Sequence, residues 1–187
     1  MLIAAHYYVL AKTRFGVTAI VWFADKNDPR ISRVFLPAPR EKVLREIRVI
    51  FPTATKKSCT VVNTFTMNLQ ASLEGRTGTF DTSVLDLSRV PPFHRKVLRA
   101  LPRISKGRVS TYGSIADQSG APGGARAAGQ GCANNPFPII FPCHRVVRSD
   151  GSLGGFGGGL KLKRALLEIE GVRFDKNGKV MPELILR

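Results

Sequence analysis

Three runs of β-branched and aromatic residues near the start of the chain constrain its fold more than any other feature. They occupy residues 7–10, 17–23 and 31–36, and turn-forming residues separate them, namely Gly16 and Asn27-Asp28-Pro29. Short apolar runs of this composition between turn signals are typical of β-strands. The pattern therefore predicts an antiparallel meander within the first 37 residues.

Helical spacing replaces this pattern after the third run. Residues 39–51 predict a helix, because Val43, Leu44, Ile47 and Ile50 recur at helical intervals. Residues 52–60 are expected to form a basic polar loop. Residues 61–73 fit a helix or a strand, with the helix preferred, and the segment from Gly75 to Gly78 interrupts the chain. A linker then leads to Pro91-Pro92, so we expect two domains, residues 1–85 and residues 86–187.

Short helical segments dominate the expected second domain. Pro91-Pro92 opens a helix, since proline is tolerated in the first turn, and Pro102 ends it. The apolar stripe of this helix is Phe93, Val97, Ala100 and Leu101.

Two further helices follow it. Thr111 is a suitable N-cap for a helix that runs to about Ser119 and is terminated by Gly120. Pro122 opens another helix, which runs to about Ala133. Two short helices joined by a tight, glycine-containing turn form a helix-turn-helix signature.

The rest of the chain predicts a buried run, a loop, a helix and a hairpin. Residues 137–147 are apolar enough to lie in the core, and residues 151–159 form a glycine-rich loop. A helix is expected over residues 160–170, with Leu162, Leu166 and Ile169 on one face. Asn177-Gly178 is a hairpin signal. The fold class predicted for the whole chain is α+β.

Composition narrows the classes of function. The formal net charge of +16 favours a polyanionic partner, of which nucleic acid is the commonest. Three cysteines without a pairing pattern or a Cys-x-x-Cys motif favour reduced thiols and no metal site. No apolar run reaches the length of a membrane span, and polar residues interrupt the N-terminal segment. We therefore expect no signal peptide, no membrane contact and a cytoplasmic location, or a nuclear one in a eukaryote.

Cys143 is the candidate nucleophile, because His144 follows it directly. A thiolate is the reactive form of cysteine, and a neighbouring base can create it. Adjacent residues of a strand point to opposite faces. The two side chains can cooperate only if the chain turns at Pro142 or if a water molecule bridges them.

The motif around Cys143 belongs to an ordered set of motifs that spans about residues 90–174. This set resembles the O6-alkylguanine-DNA alkyltransferase family, the methylated-DNA–protein-cysteine methyltransferases. The matching segments are Phe93, Gly107-Arg108-Val109-Ser110-Thr111-Tyr112-Gly113, Ala125-Arg126-Ala127, Asn134-Asn135-Pro136, Pro142-Cys143-His144-Arg145-Val146 and Leu166-Leu167-Glu168-Ile169-Glu170-Gly171. For the first 85 residues, which match only loosely, the resemblance implies a ribonuclease-H-like α/β domain with antiparallel strands.

The resemblance also implies a reaction and assigns its residues. Cys143 would take the alkyl group from O6-alkylguanine in DNA, and O4-alkylthymine is a further candidate substrate. The thioether is stable, so each molecule would act once and without a cofactor. His144 would act as base through a water, with Glu170 orienting it. Tyr112 would give a proton to the departing guanine, and Asn135 would fix the turn that presents the cysteine.

DNA contact is implied for the two helices of the helix-turn-helix. Arg126 would enter the duplex through the minor groove and fill the gap left by a flipped-out nucleotide. Flipping is required because an O6 atom inside the base stack cannot reach a buried thiol. Small neighbours would permit close approach to the minor groove. The remaining residues expected to contact DNA are Thr111, Ala125, Ala127 and Gly129.

The base pocket departs from the family pattern. Phe156 stands where many relatives have tyrosine, and Gly157 replaces a frequent serine. Base recognition would then rely more on the main chain, through the carbonyl of Val146 and the amides near Gly157 and Gly158. The range of accepted alkyl groups depends on this loop.

Three other functions remain as alternatives. An alkyltransferase-like binding protein would lack the cysteine, which Cys143 argues against. A helix-turn-helix regulator that binds DNA would have Cys143 as a sensor or as a plain core residue. No dimerisation helix or leucine-rich seam supports it, and a monomer is expected. A cysteine hydrolase would need an oxyanion-hole motif, and none is identifiable.

Overall fold

The computed structural model describes residues 5–25 and 28–186, and its chain forms two compact units, Met1–Arg89 and Val90–Arg187. The first unit is built on the predicted meander of β1 (His6–Thr13), β2 (Gly16–Asp25) and β3 (Asp28–Ala38). Each consecutive pair is antiparallel, which confirms the prediction. Asn27 lies outside the described residues, whereas Asp28 and Pro29 are already paired in β3 rather than in a turn.

Two helices cover this sheet. The first, α1 (Arg40–Ile50), buries Val43 and Ile47 against Ala19, Val21 and Phe35 of the strands. The second, α2 (Thr60–Leu73), resolves the ambiguous segment as a helix. Its buried residues recur at intervals of three or four, which is the helical period. They are Val62, Phe65, Leu69 and Leu73.

The expected loop over residues 52–60 contains a short strand, β4 (Thr55–Lys56), which pairs in parallel with β1. The sheet order is therefore β3-β2-β1-β4. The indole nitrogen of Trp22 donates a hydrogen bond of 3.0 Å to the Lys57 carbonyl, next to this strand. The sequence did not predict this strand, because Lys56 and Lys57 are charged and the segment has no apolar alternation.

The end of the first unit lies beyond residue 85. Leu85 bridges to Ile31, and the Asp86 amide donates to the Ile31 carbonyl at 2.8 Å. The division between Arg89 and Val90 thus falls four residues after our expected boundary.

Helices are the main regular structure of the second unit. Its helices are α3 (Pro92–Ala100), α4 (Tyr112–Gln118), α5 (Ala125–Ala133) and α6 (Gly159–Ile169). The helix expected from Pro122 begins only at Ala125, because residues 121–124 form a turn closed by a 2.8 Å hydrogen bond from the Gly124 amide to the Ala121 carbonyl. A side chain at Gly131 would lie 3.0 Å from Val97, so this glycine lets α5 pack closely on α3.

Three short strands form a parallel sheet in the order β6-β5-β7. They are β5 (Val109–Thr111), β6 (Val146–Val147) and β7 (Ile185–Leu186). The sheet packs on a core that includes Leu167 of α6. On α6, Lys163, Leu166 and Leu167 are buried. Leu162 and Ile169, which we had expected on the buried face, are only half-buried.

The predicted hairpin is present in a minimal form. Its strands meet in one antiparallel bridge between Phe174 and Val180, and Gly178 adopts a φ of 76°. No helix of the described residues is long and apolar enough to cross a membrane.

Candidate active site

Cys143 lies in a turn rather than in a strand. Residues Cys143–Arg145 form one 3₁₀-helical turn, in which the Arg145 amide donates to the Pro142 carbonyl at 2.9 Å. The turn removes the geometric objection that adjacent strand residues face opposite sides. Cys143 is 6% exposed and His144 is 1% exposed, so both side chains point into the unit.

A strained residue precedes this turn. Ile139 has a φ of 75°, a conformation that a β-branched residue rarely adopts. Such a conformation costs on the order of 1–3 kcal/mol and persists only where the surroundings enforce it. Here Ile139 is buried, and the Phe141 amide donates to the Phe137 carbonyl at 3.0 Å across it. The backbone before Cys143 is therefore held in one conformation at the expense of local strain.

Asn135 connects the main chain on both sides of Ile139 to the sulfur of Cys143. Its Oδ1 accepts a hydrogen bond of 2.9 Å from the Phe137 amide, and its Nδ2 donates one of 2.8 Å to the Phe141 carbonyl. The same Nδ2 lies 3.3 Å from Cys143 Sγ, as a donor. A buried amide that donates to sulfur stabilises the thiolate form.

The thiol of Cys143 nevertheless has a raised pKa. Burial is the main cause, and the Asn135 hydrogen bond and the positive charge of Lys163 oppose it. The sulfur is thus held mainly as a thiol at neutral pH, and a base must take its proton for the nucleophile to form. Cys132 on α5 is also buried, which raises its pKa to about 12.

His144 and Glu170 form a hydrogen-bonded pair. Nε2 of His144 lies 3.0 Å from Oε1 of Glu170. Burial by itself would raise the pKa of Glu170, but hydrogen bonds from His144 and Arg145 lower it to about 2. Because an ionised carboxylate only accepts hydrogen bonds, Nε2 carries the proton, and the neutral ring has its lone pair on Nδ1. That Nδ1 atom is buried without a hydrogen-bond partner in the described part of the chain.

Arg145 holds the same carboxylate from the other side. Its Nε donates to Glu170 Oε2 and its Nη2 to Oε1, both at 2.8 Å, while Nη1 donates to the Ile104 carbonyl at 2.7 Å. A bidentate arginine fixes a carboxylate in one plane. Sequence reasoning gave Arg145 no part in the site, because nothing in the chain links residue 145 to residue 170.

Lys163 is the second residue that sequence reasoning missed. Its side chain is fully buried, and its Nζ donates to the carbonyls of Val146 at 2.6 Å, Gly155 at 3.3 Å and Leu153. Burial lowers its pKa to about 8. The lysine therefore ties the strand after Cys143 to the glycine-rich loop. The signal in the sequence is a cation four residues before Leu167, on the apolar face of a helix.

Tyr112 is the first residue of α4, and the loop covers its ring. Its hydroxyl donates to the Gly155 carbonyl at 3.4 Å, and burial raises its pKa to about 12. A Cβ at Gly154, whose φ is 65°, would lie 2.9 Å from the ring, so only glycine fits there. Thr111 caps the helix by accepting from the Ser114 amide at 3.1 Å.

The residues expected to contact DNA lie on α5. Arg126 and Ala127 are exposed, whereas Ala125 and Gly129 are half-buried. Arg126 has no ion pair with any residue that the structure describes. An exposed, unpaired cation flanked by small residues is free to reach a large ligand.

The residues expected in the base pocket have different surroundings. Val146 is fully buried, and its carbonyl already accepts from Lys163. Phe156 is half-buried, with its ring centroid 6.4 Å from that of His144 in an edge-on contact. Gly157 and Gly158 are exposed. The loop thus brings an apolar ring, rather than a hydroxyl, next to the imidazole.

A buried cysteine next to an imidazole that a carboxylate holds is an arrangement typical of proteins that use cysteine as a nucleophile. Comparison with known proteins gives the family. The family described as 6-O-methylguanine DNA methyltransferase, DNA binding domain, matches residues 92–172. The crystal structure of Mycobacterium tuberculosis OGT in complex with DNA is similar over 88% of this chain and 92% of that chain, at 35% identity and a TM-score of 0.69. The chain belongs to the O6-alkylguanine-DNA alkyltransferase family.

Relatives found by sequence have the corresponding name. The methylated-DNA–protein-cysteine methyltransferase of Methanothermobacter thermautotrophicus is 41% identical over 124 residues, which are 66% of this chain and 65% of that protein. The protein of the same name from Mycobacterium bovis is 50% identical over 102 residues, 54% of this chain and 61% of that protein. By sequence, the chain thus spans somewhat less than two thirds of the length of these relatives.

Proposed function

We propose that this protein repairs DNA by moving the alkyl group of O6-alkylguanine to Cys143, once per molecule. The thiolate sulfur attacks the alkyl carbon, an S–C bond forms, and the bond between that carbon and guanine O6 breaks. The electron pair of the broken bond goes to the guanine. The thioether has no easy leaving group, so the protein is consumed. The observation that carries the proposal is the buried thiol of Cys143, contacted by the Asn135 amide beside the His144–Glu170 pair.

The thiol proton would go to Nδ1 of His144. This atom has no hydrogen-bond partner among the described residues, and the other ring nitrogen donates to Glu170. A water molecule is proposed to carry the proton between sulfur and ring. Glu170 stabilises the resulting imidazolium, and Arg145 keeps the carboxylate ionised and in place. The relay therefore comprises four residues: Cys143, His144, Glu170 and Arg145.

Tyr112 would supply the proton that the departing guanine needs. Its pKa of about 12 keeps the hydroxyl protonated at neutral pH, so it can donate as negative charge develops on the base. Its partner in the present structure is the Gly155 carbonyl, at the long distance of 3.4 Å. A weak bond of this kind is readily exchanged for one to a substrate atom.

The base pocket would form between the Cys143 turn and the glycine-rich loop. The Val146 carbonyl has a second lone pair for the base, beside the one that Lys163 occupies. Main-chain amides at Gly157 and Gly158 remain accessible. Phe156 contributes an apolar wall instead of a hydroxyl. Activity on O4-alkylthymine is a further proposal for this pocket.

DNA is the proposed partner, bound by α4 and α5 as a helix-turn-helix. The formal charge of +16 and the exposed Arg126 support it. Arg126 would enter the minor groove and replace the flipped nucleotide, with Thr111, Ala125, Ala127 and Gly129 near the backbone. Small residues on α5 allow the close approach that a minor groove demands.

The roles of the two domains are proposals too. Residues 86–187 would hold DNA binding and alkyl transfer, while residues 1–85 would form a ribonuclease-H-like domain. The four-stranded sheet with two helices in the first unit is compatible with that assignment. A monomer in the cytoplasm is the expected state.

Intact-mass measurement tests the function directly. After incubation with a duplex that contains O6-methylguanine, the protein should gain one methyl group, and the DNA should lose it. Cys143→Ala should show no gain, whereas Cys132→Ala should behave as the wild type. Because no lysine or arginine separates Cys132 from Cys143, a tryptic peptide contains both, and fragment sequencing must locate the methyl group.

The outcomes separate the alternatives. Normal binding of the damaged duplex without any mass gain would refute transfer and favour a binding or sensing role. Arg126→Ala should lose transfer from duplex DNA but retain transfer from a free alkylated base. This combination is expected for a residue that replaces the flipped nucleotide.

A further inference from the structure

A basic pocket on the second unit lies on elements other than those that carry the cysteine. It is an open depression of about 180 Å³. Its lining residues are Lys96, Arg99, Ala100, Arg103 and Gln118. Lys96 and Arg99 belong to α3, Arg103 to the 3₁₀-helical turn that continues it, and Gln118 is the last residue of α4.

The three cations share one face. They are three and four positions apart, the spacing that places helical side chains side by side. All three are exposed, and none of them forms an ion pair with a residue that the structure describes. Asp117, the acid next to Gln118 in the chain, is exposed and is not paired with them either. Like charges at this spacing destabilise a helix, and a bound anion would offset that repulsion.

The chemistry of the pocket indicates its ligand. Two guanidinium groups, one ammonium group and an amide present mainly hydrogen-bond donors. Planar guanidinium groups match the oxygen pairs of a phosphate. A volume of about 180 Å³ is below the range of roughly 300–1,000 Å³ that encloses small-molecule ligands. A single tetrahedral oxyanion fits this pocket better than a base or a peptide side chain does.

We propose that this pocket binds a backbone phosphate of duplex DNA, as an anchor additional to the contacts of Arg126. This inference rests on the proposed function only in taking DNA as the partner. The anchor acts on undamaged DNA as well, because phosphates are present at every step. It therefore strengthens the sequence-independent binding with which a repair protein searches for rare lesions.

The test compares two matched pairs of substitutions. Arg99→Gln/Arg103→Gln removes two charges from the pocket. Arg45→Gln/Arg48→Gln removes two exposed arginines from α1 in the first unit, so the change in net charge is the same. Neither arginine forms an ion pair with a described residue. The dissociation constant for an undamaged duplex is measured by titration at several salt concentrations for both variants and the wild type.

The pocket variant should lose affinity, and its slope of log K against log salt should become shallower by about 1, since one phosphate contact contributes about 0.9. The α1 variant should stay close to the wild type. Equal losses in both variants would mean a general effect of net charge and would overturn the proposal. So would a slope that is unchanged in the pocket variant.

Two controls distinguish the phosphate anchor from the proposed alkyl transfer and from a site for a small anion. Alkyl transfer from free O6-benzylguanine, which needs no DNA, should be unchanged in the pocket variant. Absence of transfer in the wild type would count against the proposed function but not against the phosphate anchor. If inorganic phosphate binds the pocket while the DNA slope is unaffected by the substitutions, the site serves a small anion, and the assignment to DNA is wrong.

Discussion

Replacement of Glu170 by glutamine removes the charge on which the His144–Arg145 arrangement depends. Both carboxylate oxygens accept hydrogen bonds, from Nε2 of His144 and from Nε and Nη2 of Arg145. An amide has only one oxygen, so one of these donors would face an NH2 group. His144 can escape the conflict by moving its proton from Nε2 to Nδ1, which removes the lone pair of the base proposed for the Cys143 thiol.

The effect on stability follows from the pKa of Glu170. It falls from an ordinary value of 4.5 to about 2, which corresponds to about 3 kcal/mol of folding free energy at neutral pH. Because the folded pKa is depressed, this contribution is present above pH 4.5 and is lost as the pH falls through about 2. At pH 7, Glu170→Gln should therefore lower the free energy of unfolding by about 3 kcal/mol.

Denaturant unfolding, followed at a series of pH values between 7 and the acid range, measures this effect. The difference between wild type and Glu170→Gln should shrink as the pH falls below 4.5, because the unfolded wild-type chain takes up a proton at this carboxyl that the folded protein binds only near pH 2. The rate of methyl transfer should fall in the same variant at pH 7.

Glu168→Gln is the matched control. It lies two residues away on α6, is 49% exposed and pairs with Arg164 at 2.8 Å. An exposed pair at this spacing contributes about 0.3–0.5 kcal/mol. Our reasoning on the buried pair would be refuted if the two variants had similar stability at pH 7, or if the loss in Glu170→Gln were independent of pH.

Three further substitutions test the remaining contacts. Lys163→Met leaves the carbonyls that the ammonium holds without their donor, so transfer should slow markedly, and amide hydrogen exchange in the glycine-rich loop should accelerate. Gly154→Ala should destabilise the protein by at least about 1 kcal/mol in thermal unfolding, because its φ is 65° and the new Cβ would lie 2.9 Å from Tyr112. Gly155→Ala, where a Cβ meets nothing within 4 Å, is its control and should change little. Asn135→Ala removes the donor to the sulfur, so the thiol should titrate at a higher pH in an iodoacetamide assay; an unchanged titration would show that the amide only shapes the turn.

The local sequence determined much of the secondary structure. The meander, α1 and the approximate limits of α3 and α4 were predictable, because strand and helix periods and turn residues act over a few positions. The predicted secondary structure was wrong where the local signal is weak or fits two structures equally well. Pro122 is as compatible with a turn as with a first helical residue, and the two-residue strand β4 is too short to show a period.

The sequence also indicated the chemistry. Cys143 and His144 are adjacent in the chain, and the ordered motifs around them indicated Glu170, Tyr112 and Asn135 as further site residues. Those motifs indicated the family but did not predict the geometry of the site. They did not reveal that Asn135 donates to the sulfur itself. They left open whether the chain turns at Pro142, and the structure shows a 3₁₀-helical turn over Cys143–Arg145.

Only the tertiary structure decided how the site is held. Arg145 meets Glu170 across 25 positions of sequence, and Lys163 meets the Val146 carbonyl across 17. A single chain gives no signal for contacts at such separations. The position of Lys163 on the apolar face of α6 indicates burial but not its partners, and Arg145 looks like a solvated cation in the sequence. Packing of the whole unit buries Lys163 fully and Arg145 in part, and a charge removed from water must then find carboxylate or carbonyl partners. The strained φ of Ile139 likewise exists only because the surrounding contacts outweigh its local preference.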